Sequence, residues 1–363
     1  MAHSRLLDRI GIALPIIQAP MAGVSTPAMA AAVSEAGGLG SIAVGATDAA
    51  GAEVMIAEVR ERTALPFNVN LFCHRPAQAN AEIESRWIER FRPRFAEFGA
   101  LPPAKLTEIY RSFVGDEEMF SLLIKVRPVV VSFHFGLPRR EWCHSLRDAG
   151  IILLATATSV AEARAAADAG ADAIVAQGWE AGGHRGMLDP DAKDERLPAL
   201  DLVHLILGEL DIPVIAAGGI MDGAGIARAL EVGACAAQLG TAFIACDESA
   251  ADQAFRAALV SPAAHKTVMT RAISGRPARC LANRFTALGQ NIADSEIPAY
   301  PIAYDLGKAL NSAAKARGEY GFGAQWAGEG APRFRSMPAG KLVEVLAAEL
   351  RQTNIPVEGN CHE

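Results

Sequence analysis

A strand-and-glycine signal repeated along the chain constrains its fold more than any other feature. Four times a helix-like segment closes on a charged residue, a small residue and a glycine, and an apolar run follows. The instances are Glu35-Ala-Gly-Gly before Leu39, Asp148-Ala-Gly before Ile151, Asp168-Ala-Gly before Ala171, and Glu231-Val-Gly before Ala234. Glycine just past a helix end, followed by a continuous apolar strand, is the helix-to-strand connection of parallel sheets. Eight strands are expected, beginning at Pro15, Gly40, Phe67, Pro128, Ile151, Ala173, Pro213 and Ala236. Several of these starts lie about 22 to 25 residues apart, room for a strand, a loop and a three-turn helix. Eight such units imply a closed (β/α)8 barrel, an α/β fold of the TIM class, rather than an open sheet. The composition agrees, since 51% hydrophobic residues with only 6% aromatic suits fully buried Ala/Val/Ile/Leu strands.

Two spacings break the rhythm. About fifty residues, Cys73 to Lys125, separate the third strand from the fourth, and about a hundred follow the eighth. Both excursions leave from the rim where barrels build their sites. The expected division is therefore a barrel from 1–72 and 126–260, and a cap from 73–125 and 261–363. The tail should hold helices at 303–315 and 340–351, the second with apolar residues on one face.

The net charge of −7 offers no basic face to a nucleic acid, and no apolar stretch approaches the roughly 18 residues of a membrane span. The six cysteines (Cys73, Cys143, Cys235, Cys246, Cys280 and Cys361) show no Cys-x-x-Cys spacing. They read as reduced thiols of a cytoplasmic protein. Neither they nor the histidines beside two of them suggest a metal site.

The chemistry sits at strand ends. Gln18-Ala-Pro-Met-Ala brings the Met21 and Ala22 backbone to the rim, where it can meet a flat ligand. Alternation places Asn68 and Asn70 on one face of the third strand. His134, between two phenylalanines at the end of the fourth, is placed to exchange protons near neutral pH. Five further histidines (3, 144, 204, 265, 362) lie on helix-like or terminal segments, while His184 could touch a phosphate or face solvent. Three neighbouring strand ends offer an anion cradle: Gln177 with Gly182 and Gly183, then Gly218 and Gly219, then Gln238, Leu239, Gly240 and Thr241. Spacing alone leaves a sugar phosphate, a nucleotide and a flavin mononucleotide open.

Pro15-Ile-Ile-Gln-Ala-Pro-Met, Val131-Ser-Phe-His-Phe-Gly, Ala176-Gln-Gly-Trp-Glu-Ala-Gly-Gly-His-Arg-Gly and Ala217-Gly-Gly-Ile-Met-Asp-Gly together resemble the nitronate monooxygenase (2-nitropropane dioxygenase) family. Pro298-Ala-Tyr-Pro-Ile-Ala-Tyr-Asp-Leu-Gly-Lys308 resembles the motif that marks its class I. The resemblance spans nearly the whole chain. It implies non-covalent FMN, no metal, and oxidative denitrification of alkyl nitronates, propionate 3-nitronate among them, by O2 through a flavin semiquinone. Asn70, Gln177, Gly182, Gly183, Gly218, Gly219 and Gln238 to Thr241 would hold FMN, with Met21 and Ala22 near its ring. His134 would be the catalytic histidine, and Tyr110, Tyr300, Tyr304 and Lys308 would line the substrate side. The expected partners are a small anionic nitronate and O2, in a monomer or homodimer. Two other readings remain: an NAD(P)H-dependent FMN quinone or enoyl reductase on the same fold, and a phosphate-binding barrel without redox function.

Overall fold

A computed structural model describes residues 2–353; Cys361 and His362 lie outside the described residues. In chain order the strands are β1 (Ile16–Gln18), β2 (Gly40–Ala43), β3 (Phe67–Phe72), β4 (Val130–His134), β5 (Ile152–Ala157), β6 (Ala173–Gln177), β7 (Gly183–His184), β8 (Val214–Ala217), β9 (Ala236–Leu239), β10 (Thr267–Thr270) and β11 (Ala278–Leu281). Eight of them form one parallel sheet in the order β1-β9-β8-β6-β5-β4-β3-β2. A parallel bridge between Ile17 and Leu39 joins its two edges. All eight expected barrel strands are present, so the chain is an α/β protein of TIM-barrel type.

The repeated glycines act as expected. Gly37, Gly150, Gly170 and Gly233 all adopt positive φ, between 85° and 107°, where a side chain would be strained. Each turns the chain from a helix into the next strand. Ser159 shows the opposite end of such a helix: its side chain accepts from the Glu162 amide and opens Val160–Ala169.

Among the described residues eight helices sheathe the barrel, and two of them correct the expected boundaries. Glu117–Val126 packs between the barrel helices Ala49–Arg62 and Arg140–Asp148. It places Met119, Leu122 and Leu123 in the shell core, so it is the third barrel helix rather than part of the cap. Ala339–Gln352 packs against Gly223–Glu231 and Pro27–Glu35, burying Leu342, Val343, Leu346 and Leu350 beside β1 and β9. It is the eighth barrel helix, delayed by nearly a hundred residues. Its apolar stripe matches the groove between the first and seventh barrel helices, which only the closed ring creates.

At the opposite end, Leu6 and Ile10 of the N-terminal helix Ala2–Ile10 plug the barrel floor against Ile17, Val130, Leu154 and Ile215. Over the rim, helix Ala81–Glu97 and helix Ile302–Lys315 share a core of Trp87, Phe91, Phe95, Phe285, Leu306 and Phe322. β10, β11 and β7 form a small antiparallel sheet, which ties the glycine loop after β6 to the tail. The five described cysteines are buried and unpaired. Among the described residues no helix is long and apolar enough to cross a membrane, and no three His, Cys, Asp or Glu side chains cluster as metal ligands.

Candidate active site

Strand alternation decides what faces inward. Asn68 lies deep, donating to Ser41 and Ser132, so it braces the barrel rather than reaching a ligand. Asn70, two residues nearer the rim, donates to Ser132 Oγ at 2.9 Å and lines a cavity at the strand ends. The same cavity is lined by His134, Met21, Ala22, Gln177, Gly182, Gly183, Gly218, Gly219, Gln238, Gly240, Thr241, Tyr110, Tyr300 and Tyr304. Two expected residues do not line it, Leu239 and Lys308.

Leu239 follows Gln238 on β9, so alternation turns it outward into the shell core, where it is 1% exposed. Its carbonyl accepts from Ala19 within the sheet. Lys308 is exposed, its Nζ 4.8 Å from the Tyr110 ring centre and 5.5 Å from that of Tyr304. It lines an adjoining outer cavity with Asn311 and Lys315. One helical turn carries Lys308 onto the same face as Tyr304, but the tyrosine rings stand between its ammonium and the inner cavity. Lys308→Met should therefore raise the KM for an anionic substrate only about two- to threefold, the ~0.5 kcal/mol of a solvent-screened charge. The effect should vanish at high salt. An unchanged KM at low salt would remove Lys308 from substrate attraction altogether.

The expected anion cradle consists of backbone. Among the described residues the amides of Gly218, Gly219, Gly240 and Thr241 donate to no protein acceptor. Gly218 and Gly219 adopt φ of 127° and 68°, a conformation that exposes consecutive N–H groups to one side. Thr241 Oγ1 accepts from Gly328 at 2.9 Å, leaving its hydroxyl proton for an anion. Gln177 has a bracing role: its Nε2 donates to the His184 carbonyl at 3.0 Å and its Oε1 accepts from Gly186 at 2.8 Å. Gly182 is required by packing, since a Cβ there would lie 2.3 Å from the Gly328 nitrogen.

Across the cavity, His134 Nδ1 lies 3.0 Å from Thr156 Oγ1 and Nε2 lies 3.3 Å from the His184 carbonyl. Burial, followed by the charge of Arg276, lowers the His134 pKa from 6.5 to about 4. His74 is lowered to about 4 by the same two causes in the same order. Burial, the neighbouring His134 and Arg276 hold His184 well below its ordinary value. Burial, reinforced by the other two phenols, holds Tyr300 well above its ordinary value, and Tyr304 is raised by burial and by Tyr110. The site therefore offers neutral imidazoles and neutral phenols at pH 7.

These rings make stability depend on pH. An unfolded chain protonates its histidines as the pH falls through 6.5, whereas the folded chain keeps His134 and His74 neutral to about pH 4. Their contribution is complete above pH 6.5 and is lost as the pH falls from 6.5 toward 4. It amounts to roughly 3 kcal/mol each at most. The melting temperature should drop steeply between pH 6.5 and 4.5; a flat profile there would mean that the rings are solvated.

Several residues of the site carry no local signal. Trp326 donates from Nε1 to the Tyr304 hydroxyl at 3.3 Å and stands 5.0 Å from the His184 ring, yet it comes from an irregular stretch without a motif. Thr156 looks like any other inward residue of β5. Ser274 meets His184 Nε2 at 2.8 Å from the cap sheet, a contact that only the tertiary fold creates.

Residues 3–349 match the family model described as nitronate monooxygenase. The chain is 58% identical over 348 residues to a nitronate monooxygenase of Paraburkholderia phytofirmans, spanning 96% of this chain and 95% of that one. It is 52% identical over 349 residues to a nitronate monooxygenase of Pseudomonas aeruginosa, spanning 96% and 99%. A crystal structure of the nitroalkane oxidase of Streptomyces ansochromogenes superposes with a TM-score of 0.87 at 43% identity, covering 96% of this chain and 98% of that one.

Proposed function

Because this chain belongs to the nitronate monooxygenase family, we propose that its rim cavity holds FMN non-covalently and oxidises alkyl nitronates with O2 to a carbonyl compound and nitrite. Propionate 3-nitronate is the substrate we favour. The observation that carries this reading is the pairing of four unspent backbone amides, at Gly218, Gly219, Gly240 and Thr241, with a neutral histidine across one cavity. The amides suit a phosphate, and Gln238, which lines the same cavity, suits the polar edge of a flavin. Bound there, FMN supplies the electron-accepting ring and the route to oxygen.

The chain's own residues position and protect the substrate. Tyr110 and Tyr300 reach the cavity as phenols, and hydrogen bonds from such donors match the planar oxygens of a nitronate. Tyr304 and Trp326 close the outer side, limiting water. For a neutral nitroalkane, His134 removes the α-proton at Nε2. At rest Nε2 faces the His184 carbonyl, which only accepts, so the neutral ring carries its proton there and Nδ1 accepts from the Thr156 hydroxyl. Acting as base at Nε2 requires the other tautomer, with Nδ1–H donating to Thr156 Oγ1 and the His184 contact given up to the substrate. For a substrate that arrives as the anion, the same ring orients it. The class I tail motif, a cytoplasmic location and a monomeric or homodimeric state belong to the same reading.

The test is an absorption spectrum of purified protein reconstituted with FMN, followed by oxygen uptake with propionate 3-nitronate. A flavin spectrum with nitrite formation is expected. A colourless protein would leave a phosphate-binding barrel without redox chemistry. Prompt anaerobic bleaching by NADH without nitronate turnover would favour the reductase.

A further inference from the structure

Arg276 lies in the turn between β10 and β11 and is 2% exposed. Its Nη2 donates to the Met187 carbonyl, while Nε is enclosed without any acceptor. Among the described residues no carboxylate pairs with it. Two other arginines are buried, and both have one: Arg185 makes a two-pronged pair with Asp194 at 2.7 and 3.0 Å, and Arg279 meets Glu329 at 3.1 Å. The acidic groups nearest Arg276 in influence are Glu162 and Asp191, set against the like charge of Arg271. Glu162 is spent on Leu188 and Thr158, and Asp191 pairs with Arg271 at 2.8 Å. A buried charge without a partner is costly.

The guanidinium stacks on the Phe135 ring, 4.5 Å from its centre. The same ring contacts His134 at 4.4 Å, Tyr300 at 5.3 Å and His184 at 5.5 Å, centre to centre. Arg276 thus stands one aromatic ring behind the cavity wall, anchored by Ser274, whose hydroxyl donates to the Arg276 carbonyl at 3.2 Å. We propose that Arg276 is a specificity-determining residue, whose unpaired charge supplies the positive potential that favours an anionic substrate over its neutral conjugate acid. The proposal rests on the nitronate reading for the identity of that anion. In a low-dielectric interior such a charge acts across a ring. Its influence is visible on its neighbours, since burial first and Arg276 after it disfavour the cationic forms of His134 and His74, and Arg276 also acts on His184. The other groups facing His134 include Thr156, the His184 carbonyl and, more distantly, Arg185; those facing Arg276 from the cap include Tyr300. A potential that repels a second cation stabilises an anion in the same place.

The test compares Arg276→Gln, which keeps a donor for Met187 without the charge, with Arg276→Lys, which keeps the charge, both in the flavin-loaded protein. Arg276→Met serves in place of the glutamine variant should that one not fold. The uncharged variant should raise the KM for propionate 3-nitronate at least tenfold while kcat/KM for the neutral nitroalkane falls less than threefold. The lysine variant should keep the wild-type preference within threefold. A second readout needs no substrate: an NMR titration of the His134 ring should move toward its ordinary value in the uncharged variant and not in Arg276→Lys. Equal losses on both substrates with an unmoved His134 titration would make Arg276 a packing residue and overturn the proposal. If the wild-type protein turns over no nitronate, the functional reading fails. The His134 titration then decides the electrostatic role by itself: a shift sustains it and no shift ends it.

Discussion

His134→Asn should lower turnover of a neutral nitroalkane at least tenfold, about 1.4 kcal/mol of barrier, while flavin stays bound. Asparagine can still donate toward Thr156 Oγ1, which lies 3.0 Å from Nδ1, so the rim should keep its shape. What the substitution removes is the basic lone pair, and a positioned base is commonly worth about 10²–10⁴ in rate. An anionic nitronate arrives without the proton in question and should lose much less, so the ratio of the two losses is the diagnostic measurement. The wild-type pH profile adds a second check. With His134 neutral above about pH 4, kcat/KM for the neutral substrate should be free of an acid limb near pH 6.5. Wild-type rates from the asparagine variant, or a histidine limb between pH 6 and 7, would take His134 out of the chemistry.

The second large effect concerns the cradle. Gly219→Val should strip FMN from the purified protein, with Gly208→Ala as the control. At Gly219 φ is 68°, where a β-branched residue is an outlier, and an added Cβ would lie 3.2 Å from Glu180 Cβ. Relieving that strain means rotating the peptide whose amides would face the phosphate of a bound FMN. Gly208 has open space around it on helix Ala199–Glu209, so a methyl there should leave flavin content untouched. Full flavin occupancy in Gly219→Val, read as the ratio of flavin to protein absorbance, would place the phosphate elsewhere. Gly182→Val should also lose flavin, but by a different route, because its side chain would push the 327–328 backbone outward.

Much of this site was legible before any coordinates, and the reason is local. A glycine that must take positive φ, as at 218 and 219, or a strand that must alternate, as at Asn68 and Asn70, is determined by the residues immediately around it. That is why the eight strands, the cradle and His134 follow from one-dimensional patterns. The same logic fails for Leu239, which shares a motif with Gln238 and Gly240 but alternates to the other face of β9. It fails too for helix Ala339–Gln352, whose apolar stripe says that it packs without saying on what.

The amino-acid order by itself determined the barrel, the backbone cradle and the histidine at its rim, because short-range sterics and hydrophobic period write those features into adjacent residues. Only the tertiary structure decided which cation stands behind the cavity wall. Lys308 lies in the recognisable motif yet sits outside two tyrosine rings, whereas Arg276, in no motif, stacks on Phe135. The two partners are far apart along the chain and meet only because the cap sheet folds back over β4. Electrostatic influence depends on distance through space and on the solvent excluded between charges, and neither is recorded in local sequence.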